Sequence, residues 1–264
     1  MDNIQILGYF GALVVGLVLG LIGGGGSILT VPLLVYLLGY NPIIATAYSL
    51  FVVGTTSLVG TFQKFKKGLV DVKTGLAFSF PSFVAVYLSR RYLVPNIPDT
   101  LFAIENFALT KEMGIMIFFS IIMLISSVSM IKNKKNGDIP NYKQAYYKTF
   151  IQGLIIGTIT GIIGAGGGFL YVPALVLWAN IPMKRAVGTS LIIVTINSLI
   201  GFTGDMQTLD IDWIFLLSFT LISIIGILIG VYLSKFIGSD RLKKSFGVFT
   251  LIMAIYIVYR ETSQ

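Results

Sequence analysis

The sequence predicts an all-α polytopic integral membrane protein made of two inverted repeats of about five hydrophobic segments each, with short glycine-initiated helices. Three observations predict it. Of 264 residues, 55% are hydrophobic and only 11% charged, at a mean hydropathy of +0.89. A soluble domain carries about a quarter charged residues, so this chain cannot cover a globular surface with polar groups, and it is too apolar for disorder. A glycine-rich stretch recurs at a fixed offset, and basic residues exchange loops between the two halves.

The segments follow in order. Apolar stretches run at about 4–22, 28–38, 43–62, 72–89, 113–131, 150–163, 169–179, 186–203, 211–233 and 246–259. Most can cross the roughly 30 Å hydrocarbon layer as helices. The first lacks a basic start and recurs internally, so it belongs to the fold rather than to a signal peptide. The second and seventh reach only about 16–17 Å at 1.5 Å per residue. Each follows a glycine run and contains a proline, Pro32 or Pro173, expected within the first helical turns, where proline is tolerated. Asp71, just before the fourth segment, and Asp212, at the start of the ninth, are expected to cap them. The connector 132–148 is basic and tyrosine-rich and reads as an interfacial cytoplasmic linker. It divides a first repeat, 1–131, from a second, 149–264.

The duplication is visible residue by residue. At a constant offset of 141, GLIGGGGSILTVPLLV from Gly20 aligns with GIIGAGGGFLYVPALV from Gly161, and 17 of the 41 positions from Gly20 to Gly60 are identical. Chance gives only a few, so one ancestral unit occurs twice.

Charge supplies orientation. Lys64, Lys66, Lys67 and Lys73 surround the connection after the third segment, whereas its counterpart carries Asp205, Asp210 and Asp212. Conversely, Lys184 and Arg185 replace Ile43 and Ile44. The positive-inside rule then puts equivalent loops on opposite sides, with both termini outside. The 90–112 loop, with Arg90 and Arg91, is expected outside. An odd number of segments per half inverts the second repeat, the architecture of secondary transporters with short or broken helices.

Two sets of residues could carry chemistry. Gly24, Gly25, Gly26 and Ser27 in the first half, and Gly166, Gly167 and Gly168 in the second, open the short helices. Glycine lets backbone approach a ligand closely, and the first N–H groups of a helix have no intrahelical partner and sit at its positive end. Two such ends entering from opposite sides would bind an anion without a buried cation. Close helix packing through small residues is the competing reading. On the following segments, Ser49 and Thr56 share a helix face, as do Ser190 and Asn197. These groups could hydrogen-bond substrate oxygens, or bond their own helix instead.

Several chemistries are excluded. There is no cysteine or histidine, which removes thiol catalysis, His-based metal sites and Ser-His hydrolysis. No phosphate-binding G-x-x-x-x-G-K-[ST] motif is present. Apart from Lys73 and Asp212, each the second residue of its segment, no Asp, Glu, Lys or Arg falls inside the segments as drawn, so no proton carrier or carboxylate cation site is expected there. The chain is expected not to be an enzyme and to need no cofactor. Its expected partners are a small anion and the lipid bilayer, without nucleic acid. Self-association into a homo-oligomer is compatible with the pattern.

The paired signatures, with the A-T-A-Y-S-L and A-V-G-T-S-L stretches that follow them, resemble the TauE/SafE family of membrane transporters from about residue 5 to 260. The resemblance implies a permease of the bacterial inner membrane for sulfite, sulfoacetate or other organosulfonates, commonly an exporter. It points to the two glycine runs, Ser49 and Ser190. The expected mechanism is alternating access around an anion site between the repeats. An anion channel using the same helix ends as a filter is the other reading.

Overall fold

The computed structural model describes residues 3–263 except 105–106, 133–145, 165, 178, 180 and 207–208; the side chains of 3–4, 25, 27, 103–104, 107–108 and 146–148 also lie outside the description. The linker 132–148 therefore falls almost wholly outside it. Ten α-helices follow in order among the described residues: α1 (Asn3–Ile22), α2 (Gly25–Pro32), α3 (Pro42–Lys66), α4 (Val72–Leu88), α5 (Lys111–Lys132), α6 (Tyr146–Ile163), α7 (Gly168–Leu177), α8 (Met183–Asp205), α9 (Trp213–Leu233) and α10 (Ser239–Thr262). Seven are long and apolar enough to cross a membrane; the apolar parts of the others are Ile28–Leu37, Thr149–Ile163 and Gly168–Leu177. The chain is a multi-pass membrane protein.

Local chemistry sets the boundaries. Asn41 caps α3, accepting from Ile43 N, with Pro42 at the first helical position. Asp71 and Asp212 cap α4 and α9 as expected, accepting from Thr74 N and Phe215 N. The prolines sit later than expected. Pro32 is the last residue of α2, where a five-residue π turn (Leu33–Leu37) begins, and Pro173 lies mid-helix in α7. Proline cannot donate to the helical ladder, and a π turn accommodates the break. The 90–112 loop also differs from expectation. The helix that follows Asp71 continues through a π turn (Ser89–Leu93), and an antiparallel hairpin follows, β1 (Thr100–Ile104) and β2 (Phe107–Thr110).

The packing is that of inverted repeats. Across α3 and α8, Gly54 meets Ser198 and Leu199, Gly60 meets Leu191, and Gly201 meets Leu50. Rising numbers meet falling ones, so these equivalent helices run antiparallel. The other large contacts exchange partners between repeats. Gly16 and Gly20 of α1 lie on the backbone of α9 at Ser223, Ile227 and Val231, while Gly153, Gly157 and Gly161 of α6 lie on α4 at Pro81, Ser82 and Ser89. Both pairs run parallel, and small residues are what let such backbones touch inside a bilayer. One cross-repeat bond recurs as well. Asp71 N donates to Thr189 Oγ1 at 2.9 Å, and Asp212 N to Tyr48 Oη at 2.7 Å. Offset by 141, each pair maps onto the other. Exposed Phe10, Phe62, Phe80, Ile125, Leu221 and Ile252 form the lipid-facing exterior.

Candidate functional site

The two glycine elbows converge at the centre of the fold. A Cβ on Gly24 would overlap the backbone of Gly168, so the starts of α2 and α7 touch. Around them lie the middle turns of α3 and α8. A Cβ on Gly166 would sit 2.8 Å from Ser198 Oγ and 2.9 Å from Val53, and one on Gly23 would sit 2.8 Å from Ser190 Oγ. Gly23, Gly164, Gly166 and Gly167 all have positive φ, between 67° and 82°. That conformation turns the chain back into the bundle and excludes most other residues.

Polar groups without partners surround this point. Ser49 Oγ, Thr56 Oγ1, Ser57 Oγ, Ser198 Oγ and Asn197 Oδ1 are buried with no hydrogen-bond partner among the described residues. An unmade buried hydroxyl bond costs about 1–3 kcal/mol, so five on two adjacent helices is a costly arrangement for packing alone. Of the residues singled out from sequence, Gly24, Gly26, Gly166, Gly167 and Gly168 are buried at the elbows, and Ser49 and Thr56 are buried on α3, which meets the second elbow at Thr46 and Val53. Gly25 opens α2, and the Ser27 side chain lies outside the described residues. For two residues the competing reading, bonding within the protein, is what the structure contains. Ser190 Oγ donates to Val187 O of its own helix at 2.9 Å. The Asn197 amide nitrogen is committed to Ser82 Oγ at 2.8 Å and Tyr171 Oη at 2.6 Å.

The second of these, Asn197, exposes a network the sequence reading passed over. Tyr171 Oη also lies against Ser82 Oγ at 2.5 Å and Thr160 Oγ1 at 3.4 Å, all of them buried. The repeat counterparts of Asn197, Ser82 and Tyr171 are Thr56, Ser223 and Thr30. There the geometry differs: the Thr56 and Ser223 hydroxyls have no partner among the described residues, and Thr30 bonds Gly26 O at 2.9 Å. One set of equivalent positions thus forms a closed polar network beside Gly167, and the other set does not. Ser82 at offset 141 from Ser223 was a findable signal, since both interrupt otherwise apolar helices.

The expectation of no ionisable groups within the spans is also corrected. The helices run further than the apolar stretches, and their last turns carry buried charges. Arg90, 1% exposed, donates from Nε to Asp205 Oδ1 and Oδ2 at 3.0 and 2.8 Å, and from both terminal nitrogens to Thr46 Oγ1 at 3.2 Å. Its guanidinium also lies beside Gly164, at the foot of the second elbow. At the opposite end of the bundle, buried Lys64 donates to Ser234 Oγ at 2.7 Å. Lys64 and Asp205 are repeat equivalents. An apolar groove lined by Leu29, Leu33, Tyr36, Met253 and Tyr256 lies between α2 and α10, away from the polar centre.

Comparison with known proteins gives a consistent picture. Residues 9–257 match the family described as sulfite exporter TauE/SafE. A probable membrane transporter protein of Xylella fastidiosa (strain 9a5c) is 27% identical over 254 residues, covering 94% of this chain and 92% of that protein. The probable membrane transporter protein YunE of Bacillus subtilis (strain 168) is 29% identical, covering 78% and 80%. MJ0441 of Methanocaldococcus jannaschii, also called a probable membrane transporter protein, is 28% identical, covering 72% and 69%. No solved structure matches the chain.

Proposed function

The chain belongs to the sulfite exporter TauE/SafE family, and from that premise we propose that it is a secondary transporter of small sulfur oxyanions, sulfite or an organosulfonate, with its binding site at the meeting point of α2 and α7. The observation that carries this reading is the pairing of two helix N-termini with buried hydroxyls that have no partner among the described residues. A sulfonate or sulfite oxygen only accepts hydrogen bonds. Helix-start N–H groups and the Ser57, Thr56 and Ser198 hydroxyls are donors. The two helix ends add about half a positive charge each. Anion affinity is then supplied without a fixed cation at the membrane centre, which keeps binding moderate and release fast.

Movement follows from the geometry. With Gly24 and Gly168 in contact, the elbows are closed on one another. An anion enters as one repeat rocks against the other about the antiparallel α3–α8 pair. The bacterial inner membrane, and export as the direction, are part of the proposal and come from the resemblance.

The test is flux in proteoliposomes. Sulfite, sulfoacetate, taurine, sulfate and thiosulfate are each loaded inside and followed as they leave. The proposal expects saturable flux and counterflow for a sulfur oxyanion. Single-channel currents would favour a channel, and absence of flux for the whole set would remove the substrate class.

A further inference from the structure

Lys64 is buried to 3% exposure in the last turn of α3, and its only hydrogen-bond partner among the described residues is the hydroxyl of Ser234. That hydroxyl itself donates to Val231 O. A fully buried lysine is almost always paired, yet the one salt bridge found among the described residues is Arg90–Asp205, at the other end of the bundle. Asp71 caps α4 at the Lys64 end, but its carboxylate serves Thr74 N and Thr74 Oγ1. The C-terminus of α9 at Ser234 offers about half a negative charge, which leaves the ammonium undercompensated. More cations lie close by. Lys67 and the half-buried Lys184 are both within electrostatic reach of Lys64. Lys67 lies below the ordinary lysine value, chiefly by desolvation and then through Lys235.

The repeat comparison sharpens the point. Position 205 holds a carboxylate with a bidentate guanidinium partner, and the equivalent position 64 holds a cation with a hydroxyl. The missing element is an anion. We propose that Lys64, with Lys67 and Lys184, forms a second anion-binding subsite at the mouth beside the α1–α2 elbow, taking a small oxyanion or the phosphate of an acidic lipid. Val187 and Ser190, one and two turns beyond Lys184 on α8, pack on Gly23, which sets the subsite beside the first elbow. Its assignment as the entry or exit station of the transported anion rests on the proposed function; the charge argument for the subsite itself does not.

The experiment uses full-length protein in neutral detergent, with thermal stability followed against sulfite, sulfate and phosphate at constant ionic strength in chloride. Wild type is expected to rise in melting temperature with the oxyanions. Lys64→Met is expected to fold as well as wild type or better, having lost an uncompensated charge, and to need at least about tenfold more anion for the same rise, the loss of one charge-assisted bond. Lys64→Arg should retain the response. A parallel arm in phosphatidylcholine nanodiscs, with and without phosphatidylglycerol, separates the sources: stabilisation by phosphatidylglycerol alone identifies lipid phosphate, and stabilisation by free oxyanions alone identifies a soluble ligand. An unchanged anion response in Lys64→Met, or no response of wild type in any arm, overturns the subsite. Should Lys64→Met fail to fold, Lys184→Met decides, and an undiminished response there also overturns it. A wild type that binds anions through Lys64 yet moves no sulfur oxyanion would remove the proposed function and leave the subsite standing.

Discussion

Gly24 and Gly168 meet backbone to backbone where the two repeats touch, leaving no room for a methyl group on either. Gly24→Ala must therefore push the elbows apart. The expected outcome is protein that still inserts in the membrane but whose flux falls at least about tenfold, the effect of about 1.4 kcal/mol at the site. Gly238→Ala is the control, because a Cβ there meets nothing within 4 Å and its φ is −67°. Equal flux in both variants would contradict a central role for the elbows.

Ser57 and Ser198 separate binding from packing. Their hydroxyls have no partner among the described residues, so alanine removes an unsatisfied group and thermal stability should hold or rise slightly. If they donate to the transported anion, each loss weakens apparent affinity by about 1 kcal/mol, roughly fivefold in KM. An unaltered KM in the double variant would leave the hydroxyls without a binding role.

Arg90 and Asp205 form a buried pair supported by Thr46. Arg90→Met alone or Asp205→Leu alone strands a buried charge, and each should cost about 3–5 kcal/mol. Arg90→Met combined with Asp205→Leu should recover most of that stability. Melting temperatures of the four proteins close the cycle, and additive losses would mean the two residues are not coupled.

Tyr171→Phe leaves Ser82 and Asn197 short of a partner in a fully buried network. The expected loss is about 1–3 kcal/mol. Its repeat counterpart behaves differently: Thr30→Ala removes only a bond back to Gly26 O in the same helix, so its effect on melting should be much smaller.

The chain has no cysteine, which makes single-cysteine labelling direct. Lys66→Cys, at the end of α3, and Asp210→Cys, ahead of α9, sit at exposed positions on opposite ends of the bundle. An impermeant thiol reagent should reach one from each side of the vesicle. Labelling of both from one side would contradict the inverted packing.

Much of the fold was legible because the membrane constrains it strongly. The apolar runs, the 141-residue offset and the lysine exchange gave five helices per half and their inversion, and the paired aspartates fell at caps. What escaped was set by neighbours in space. Arg90, Asp205 and Lys64 lie just beyond the apolar stretches, and only three-dimensional packing shows that the helices continue and bury them. The Tyr171–Ser82–Asn197 network joins three helices, so no local pattern announces it. Asn197 was recognised as polar and central, but its amide is directed at protein groups. The proline positions shifted because a π turn follows α2, a backbone adjustment that composition does not encode.

The crossed clasp of α1 on α9 and α6 on α4 has a consequence for biosynthesis. When the first 132 residues have left the ribosome, the Gly16–Gly20 edge of α1 and the Ser82–Ser89 edge of α4 still lack their partners. The second comes with α6, but the first waits until α9 is inserted. The first half thus lacks the α9 face that α1 packs on until residues 213–233 are inserted, so each repeat completes the other's packing.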